Sequence, residues 1–183
     1  MALSAHAWVF FLDADERATP ELAAEVLQVI KSDAYAGYWA PRRNIIFGKH
    51  IKHTGWSPDY QTRLLNVNRC RWDPSRPVHE LVLFDGPDGH LTNTLTHYNY
   101  DTLSQFVAKQ ERYTDIHARQ LLAEGNRARL RSFIGQPARE FVRRFISLQG
   151  YRDGAHGLLL SALLAYYQLR VYLKLWRLQR QSR

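Results

Sequence analysis

The sequence predicts an α/β fold in which a mixed sheet flanked by helices is followed by amphipathic C-terminal helices, and three observations predict it. The first hundred residues carry short apolar runs rich in aromatic and β-branched residues, separated by clusters of Gly, Pro, Asp and Asn. At Asp101 the hydrophobic period becomes that of helices and stays so to the C-terminus. With 183 residues, 45% hydrophobic and 13% aromatic, the chain can bury a real core.

The run Trp8 to Leu12, WVFFL, stops on Asp13 and Asp15, with Glu16 and Arg17 directly behind. An unbroken apolar run of this length predicts a fully buried parallel strand. Thr19, Pro20 and Glu21 form a helix start of hydroxyl cap, proline and first-turn acid. Leu22, Val26, Val29 and Ile30 then recur at helical spacing to about Lys31, giving one face to pack on the sheet. Residues 37–47 predict a strand, a bend at Pro41 to Arg43, and a second strand. Residues 60–66, 69–72, 78–84 and 91–97 predict further strands, with turns at Asp73 to Ser75 and Asp85 to His90.

Beyond Asp101, a helix capped by Asp101 or Thr102 and ending near Gly125 presents Leu103, Phe106, Val107, Gln110, Tyr113, Ile116 and Leu121. A second helix from Pro137 to Gln149 is expected to bury Phe141, Val142, Phe145 and Ile146, and Gly150 to Gly154 reads as a hinge. The last helix, Ala155 to about Arg180, contains 16 uncharged residues from Gly154 to Leu169, short of the roughly 20 that span a bilayer. Arg170, Lys174 and Arg177 then fall on one face beside Tyr166, Tyr167, Tyr172 and Trp176, the pattern of a helix lying in a lipid interface.

Charge and cysteine content narrow the partners. Nine Lys or Arg against two acids lie between Arg139 and Arg183, so the tail carries +7 of the net charge of +8. That excess predicts a polyanionic partner at the tail, and its setting beside a long apolar helix favours anionic lipid over nucleic acid. Cys70 is the single cysteine, so no intramolecular disulfide forms and a reducing compartment is expected. The first residues lack the basic and long apolar segments of a secretory leader, which agrees with a cytoplasmic location.

Carboxylates two apart at a strand end point the same way, can share a divalent cation, and stand at the edge where open α/β sheets bind ligands. The order of motifs then points further. LDADERATPEL (12–22) resembles the DxD segment of the family 2 glycosyltransferases, nucleotide-sugar enzymes of the GT-A fold. GYWAPRRNIIFGKHIKHTGW (37–56), PDYQTRLL (58–65), PVHE (77–80), LTHYNYDTLSQFVAKQERY (95–113) and the basic amphipathic C-terminus follow in the family's order. They are similar to a bacterial branch best known for the β-1,4-glucosyltransferases of the lipopolysaccharide inner core.

The resemblance implies a partial GT-A, Rossmann-like sheet over residues 1–135 and a basic, membrane-associating helical region over 136–183. Family members place an IPTYNE-like strand and loop and most of the nucleotide-base pocket ahead of the DxD. Met1 is only twelve residues ahead of Asp13, so the chain is expected to be the C-terminal portion of a longer enzyme. By the resemblance, Asp13 contacts the nucleotide sugar, with a UDP-sugar expected, and Asp15 holds Mn²⁺ or Mg²⁺, which neutralises the diphosphate leaving group. His97 is a further candidate for the metal shell, or else a core histidine. Arg63, Arg42 and Arg43 are candidates to hold donor or acceptor phosphates through bidentate contacts. Inverting transfer needs a general base for the acceptor hydroxyl, and Glu80 in PVHE is the first candidate, Asp59 the second.

The expected acceptor is a lipid-linked glycan, and the expected place is the cytoplasmic face of the bacterial inner membrane. An apolar strand ending in DxD also fits haloacid dehalogenase-like phosphatases, but the late acidic pair such enzymes need has no counterpart after Glu80 beyond Asp85 and Asp88 in a turn. A non-catalytic basic module binding membrane or nucleic acid is a third reading.

Overall fold

The computed structural model describes residues 4–72 and 82–181. The chain forms two compact units, Met1–Asn44 with Pro58–Asn99, and Ile45–Ser57 with Tyr100–Arg183. Its strands are β1 (Trp8–Phe10), β2 (Glu16–Ala18), β3 (Gly37–Ile46), β4 (Lys49–His50), β5 (Tyr60–Asn66), β6 (Cys70–Trp72), β7 (Val82–Phe84), β8 (Asp88–His90) and β9 (Leu95–Tyr100). Its α-helices are α1 (Pro20–Val29), α2 (Leu103–Ala123), α3 (Ser132–Val142) and α4 (Ala155–Gln181). The fold is α/β, as the sequence predicts.

In the first unit the main sheet runs β1-β5-β3-β9-β2, with β8 also on β3 and a separate β6-β7 pair. Parallel pairing of Gly37–Trp39 with Asp88–His90 makes the sheet mixed. Helix α1 begins as expected: the Thr19 side chain accepts from Leu22 N, Pro20 opens the helix, and Glu21 lies in its first turn. Leu22 is fully buried in a core with Tyr38, Ala40, Leu64, Leu91 and Leu95, against which Val26, Val29 and Ile30 pack.

Several strands differ from expectation. β1 is neither parallel nor fully buried: it pairs antiparallel with β5, at the end of the strand order, and its three residues are half-buried. An apolar run reports contact on both faces and carries no information on the direction of its neighbour. β3 passes through Pro41 without breaking, because Arg42 N resumes the ladder on Asp59 O at 2.7 Å, and the irregularity is a register shift at Tyr38/Trp39 instead. Asp88–His90, expected in a turn, is strand β8. Gly89 permits it, since a Cβ there would lie 2.8 Å from the Tyr38 ring. The PVHE segment lies outside the described residues.

In the second unit α4 packs against both α2 and α3. Thr102 and Gln105 form a reciprocal capping box that starts α2. The buried face of α2 is Phe106, Gln110, Thr114 and Ala118, whereas Leu103, Val107, Tyr113 and Ile116 of the expected face are exposed. Helical spacing alone does not say which of two adjacent stripes α4 will cover. The second core joins Ile46, Ile51, Tyr100, Phe106, Leu160 and Tyr167, and a third joins Ala118, Val171 and Leu175.

Helix α3 starts five residues before Pro137 and runs into a π-helical turn at Arg143–Ser147. Phe141 and Phe145 stack at 5.4 Å and are half-buried, but Val142 and Ile146, expected in a core, are exposed. The expected hinge is a packed corner. Gly150–Asp153 is a 3₁₀ turn, and buried Asp153 accepts from Lys52 N, His53 N and Thr54 Oγ1. These bonds, with His53 Nδ1, hold the Asp153 carboxyl below the ordinary carboxylate range despite the opposing effect of burial.

Gly157 lets α4 start against this corner, because a Cβ there would stand 1.8 Å from Gly150 O. Gly157→Ala therefore forces backbone apart, and an overpacking loss of about 3 kcal/mol is expected in thermal or urea unfolding. An unchanged melting temperature would show that the corner does not need that approach.

Candidate functional site

Strand pairing places the polar residues of the first unit together. A two-residue side-chain period sets Arg42 and Asn44 on one face of β3, and Asp59, Gln61 and Arg63 on one face at β5. β2 pairs with β9 so that Glu16 stands opposite His97, and Tyr98 N donates to Asp15 O at 2.8 Å. Phe11 N donates to Arg63 O at 2.7 Å, which brings the end of the apolar run to Arg63.

Glu16 sits at the middle, with no exposure to water. One of its oxygens takes Arg63 Nη2 at 2.7 Å and Arg42 Nη1 at 3.4 Å, and the other accepts Asp13 N at 3.1 Å. The Asp13 carboxylate is half-exposed and pairs with Arg63 Nη2. Arg63 Nε is buried and has no hydrogen-bond partner among the described residues.

Asp59 is clamped on both oxygens. Oδ2 accepts Arg42 Nε and Asn44 Nδ2, each at 2.9 Å, and Oδ1 accepts Arg42 Nη2 at 3.3 Å and Gln61 Nε2 at 2.9 Å. Burial acts to raise its pKa, but the bonds from Asn44, Arg42 and Gln61 and the Arg42 charge outweigh it and leave a weakly basic carboxylate.

His97 is buried, with Nδ1 2.7 Å from Asn44 Oδ1 and Nε2 3.4 Å from Asp15 Oδ2. Burial pushes its pKa down and the Arg42 charge acts the same way, against opposing contributions from Asp15 and Glu16. The imidazole is therefore neutral near pH 7. Asn44 Nδ2 donates to Asp59, so its Oδ1 is the acceptor for His97 Nδ1–H, which leaves an unprotonated Nε2 facing the Asp15 carboxylate. Two acceptors so placed repel unless a cation stands between them.

The structure thus brings together Asp13, Asp15, Arg63, Arg42, Asp59 and His97. Arg43 is exposed, one residue out of phase with Arg42 and Asn44, and Glu80 lies outside the described residues. No group of three His, Cys, Asp or Glu able to hold a metal is found among the described residues. Asp15 is a carboxylate of the kind that can hold Mn²⁺ or Mg²⁺ when phosphate oxygens and water fill the other positions, and the His97 imidazole lies 3.4 Å from it. Sequence reasoning passed over Asn44 and Gln61 and noted Glu16 only as following the two aspartates. The signal was available in part: Arg42, Asn44, Asp59, Gln61 and Arg63 are polar at alternate positions of two β-rich segments, where a buried face would be apolar.

No family model matches the chain. It is 28% identical over 174 residues to the lipopolysaccharide core biosynthesis glycosyltransferase LpsC of Rhizobium meliloti (strain 1021), a match covering 93% of this chain. The chain spans 64% of that relative's length.

Glu16→Ala leaves two largely buried guanidinium groups without their shared anion, so a loss of about 3–5 kcal/mol is expected in urea unfolding of the first unit. Glu16→Gln, which keeps the volume, is expected to cost nearly as much. Wild-type stability in both variants would mean that Asp13 and Asp59 alone hold the arginines.

Proposed function

We propose that the chain is the DxD-bearing and acceptor-side portion of an inverting glycosyltransferase of the family 2, GT-A type. On this reading it moves a hexose, glucose by the resemblance, from a UDP-sugar or similar nucleotide sugar to a lipopolysaccharide-core or other lipid-linked glycan. The observation that carries it is the Asp15 carboxylate 3.4 Å from His97 Nε2, beside two arginines fixed on buried Glu16. The likeness to a glycosyltransferase of lipopolysaccharide core biosynthesis supports it.

Each residue then has a task. Asp15 and His97 are the protein ligands for Mn²⁺ or Mg²⁺. When bound, that ion supplies a positive charge that stabilises the departing nucleoside diphosphate without proton transfer. Asp13 orients the donor from the exposed end of its ion pair, and Arg63 and Arg42 lend fixed positive charge on the same side. Because both guanidiniums are already anchored on Glu16, little reorganisation is needed when phosphate charge develops. Glu80 takes the proton of the acceptor hydroxyl as it attacks the anomeric carbon. Asp59, whose four hydrogen bonds lower its basicity, is the weaker candidate and serves better to hold Arg42.

On the same reading the enzyme is a peripheral protein of the anionic cytoplasmic face of the bacterial inner membrane, with no nucleic-acid partner; a lipid-linked acceptor and the basic helical region, with 154–183 at its end, support it. Arg170 and Lys174, however, are tied to α2 through Glu111 and Asp115, with Lys174 Nζ 3.0 Å from Glu111 and 2.9 Å from Asp115. Helix α4 is apolar enough by length and composition to cross a membrane, and 33% of its most apolar window is buried inside the structure.

Two measurements test the site. Mn²⁺ at about 100 times its Kd should stabilise the wild-type chain by about 2.7 kcal/mol, read as a rise in melting temperature, and the Asp15→Asn/His97→Ala variant should lose that rise. Equal rises in both proteins would remove the metal from this pair. In an active preparation Glu80→Gln should lower kcat about 10²-fold or more with donor KM little changed. If Asp59→Asn does so instead, the base is Asp59, and if neither does, both assignments fail.

A further inference from the structure

In the second unit exposed apolar side chains gather along α3 and the residues on either side of it. Leu130 is 87% exposed and Ile134 78%, and no residue of α3 is buried. Val142 and Ile146 continue the exposed apolar surface along α3 and the following turn. Two large aliphatic side chains almost wholly in water, four residues apart, are unfavourable unless something covers them.

The residues around them decide what that is. From Asn126 to Arg139 the sequence contains Arg127, Arg129, Arg131 and Arg139 and no acid. Gln179 of α4 pins this segment, accepting from Ala128 N at 3.2 Å and donating to Asn126 O at 3.0 Å. The pinned segment and α4 enclose a cleft of about 250 Å³ lined by Arg127, Arg129, Trp176 and Arg180, with the Arg180 guanidinium 4.8 Å from the Trp176 ring centre. Among the described residues, none of Arg127, Arg129, Arg131 and Arg180 has a carboxylate within ion-pair distance. The acid nearest in sequence to Arg127, Glu124, accepts from Gln120 Nε2 at 2.9 Å and Asn126 Nδ2 at 3.3 Å, and Glu140, beyond the segment, is held by Arg143 at 2.9 Å and by Arg144 at 2.5 Å. Free cations in a cleft with an indole at its wall, beside bare aliphatic side chains, match the layered chemistry of a lipid interface: phosphates, then aromatic rings, then acyl chains. Nucleic acid would use the cations but not Leu130 and Ile134.

We propose that residues 127–146, with Arg180 and Trp176 of α4, form the face by which the protein lies on an anionic membrane. Leu130 and Ile134 enter the acyl boundary while Arg127, Arg129 and Arg180 hold lipid phosphates. The inference rests on the peripheral membrane reading above and moves the docking surface from the body of α4, whose Arg170 and Lys174 are engaged internally, to the segment before and along α3.

The test is co-sedimentation of the full chain with phosphatidylglycerol-containing vesicles and with pure phosphatidylcholine vesicles. Wild type should bind the former. L130Q/I134Q should bind at least about tenfold more weakly at every salt concentration, because apolar insertion is not screened. R127Q/R129Q should lose about fivefold per arginine at low salt, with the difference shrinking as salt rises. L158Q/L159Q, which alters exposed apolar residues in the body of α4, should bind as wild type. All three variants should melt as wild type does, since they alter exposed side chains.

Wild-type binding by L130Q/I134Q, or loss confined to L158Q/L159Q, would overturn this face and leave the membrane reading standing. Failure of wild type to bind phosphatidylglycerol vesicles would overturn both. Preference of wild type for RNA or duplex DNA at equal salt, lost in R127Q/R129Q, would reassign the arginines to nucleic acid. A dimer in size-exclusion chromatography that L130Q/I134Q dissolves would reassign the apolar stripe to a second copy of the chain.

Discussion

Glu16 is a carboxylate with no exposure to water, and the arrangement of the first unit's polar end follows from keeping it paired. An ion of its size taken from water into a protein interior costs several kcal/mol even after relaxation, and attraction repays this only with close, well-hydrogen-bonded partners. Arg63 and Arg42 come from different strands to share one Glu16 oxygen, while Asp13 N takes the other. Because Arg42 also needs Asp59, and Asp59 takes Asn44 and Gln61, the demand spreads across β3 and the start of β5. Asn44 then fixes the His97 ring. The tautomer and direction of a histidine at one end of this chain of bonds are thus consequences of a buried acid at the other.

This order explains why the half-exposed carboxylates of the DxD can differ in role although they are two residues apart. Asp13 leans on Arg63, a cation that Glu16 already half neutralises. Among the described residues, Asp15 pairs with His97, Nε2 at 3.4 Å. On the proposed reading, in which the site takes a cation and the oxygens of a diphosphate, that division puts fixed guanidiniums on one side and acceptors on the other. Buried partners set these positions before any ligand arrives, so binding need not order them.

The helical unit treats its charges in two ways. Asp153 and Glu111 are used inside, the first to cap the loop at Lys52 to Thr54 and the second to hold Arg170 and Lys174 between α2 and α4. Arg127, Arg129 and Arg180 are left with no anion among the described residues, next to apolar side chains that find no cover in the fold. The first group stabilises helix packing, and the second is available to a partner. Net charge alone could not separate them, since every one of these cations counts equally in the sum.

The sequence by itself determined the α/β class, the capped start of α1 at Thr19, the start of α2 at Asp101 or Thr102, the span of β5 and that of α4. Each of these depends on neighbours within a few residues, through hydroxyl caps, proline geometry or side-chain period. It also placed Asp13, Asp15, Arg63, Arg42, Asp59 and His97 among the site candidates, from residue type and from resemblance. Only the tertiary structure decided which of them meet. The antiparallel direction of β1, the recruitment of Asp88–His90 as a strand, the central position of Glu16 and the exposure of Val142 and Ile146 all depend on which distant segment lies alongside. Periodicity reports that a face is apolar or polar. It cannot report what covers that face, because that is settled by pairing and packing between residues tens of positions apart.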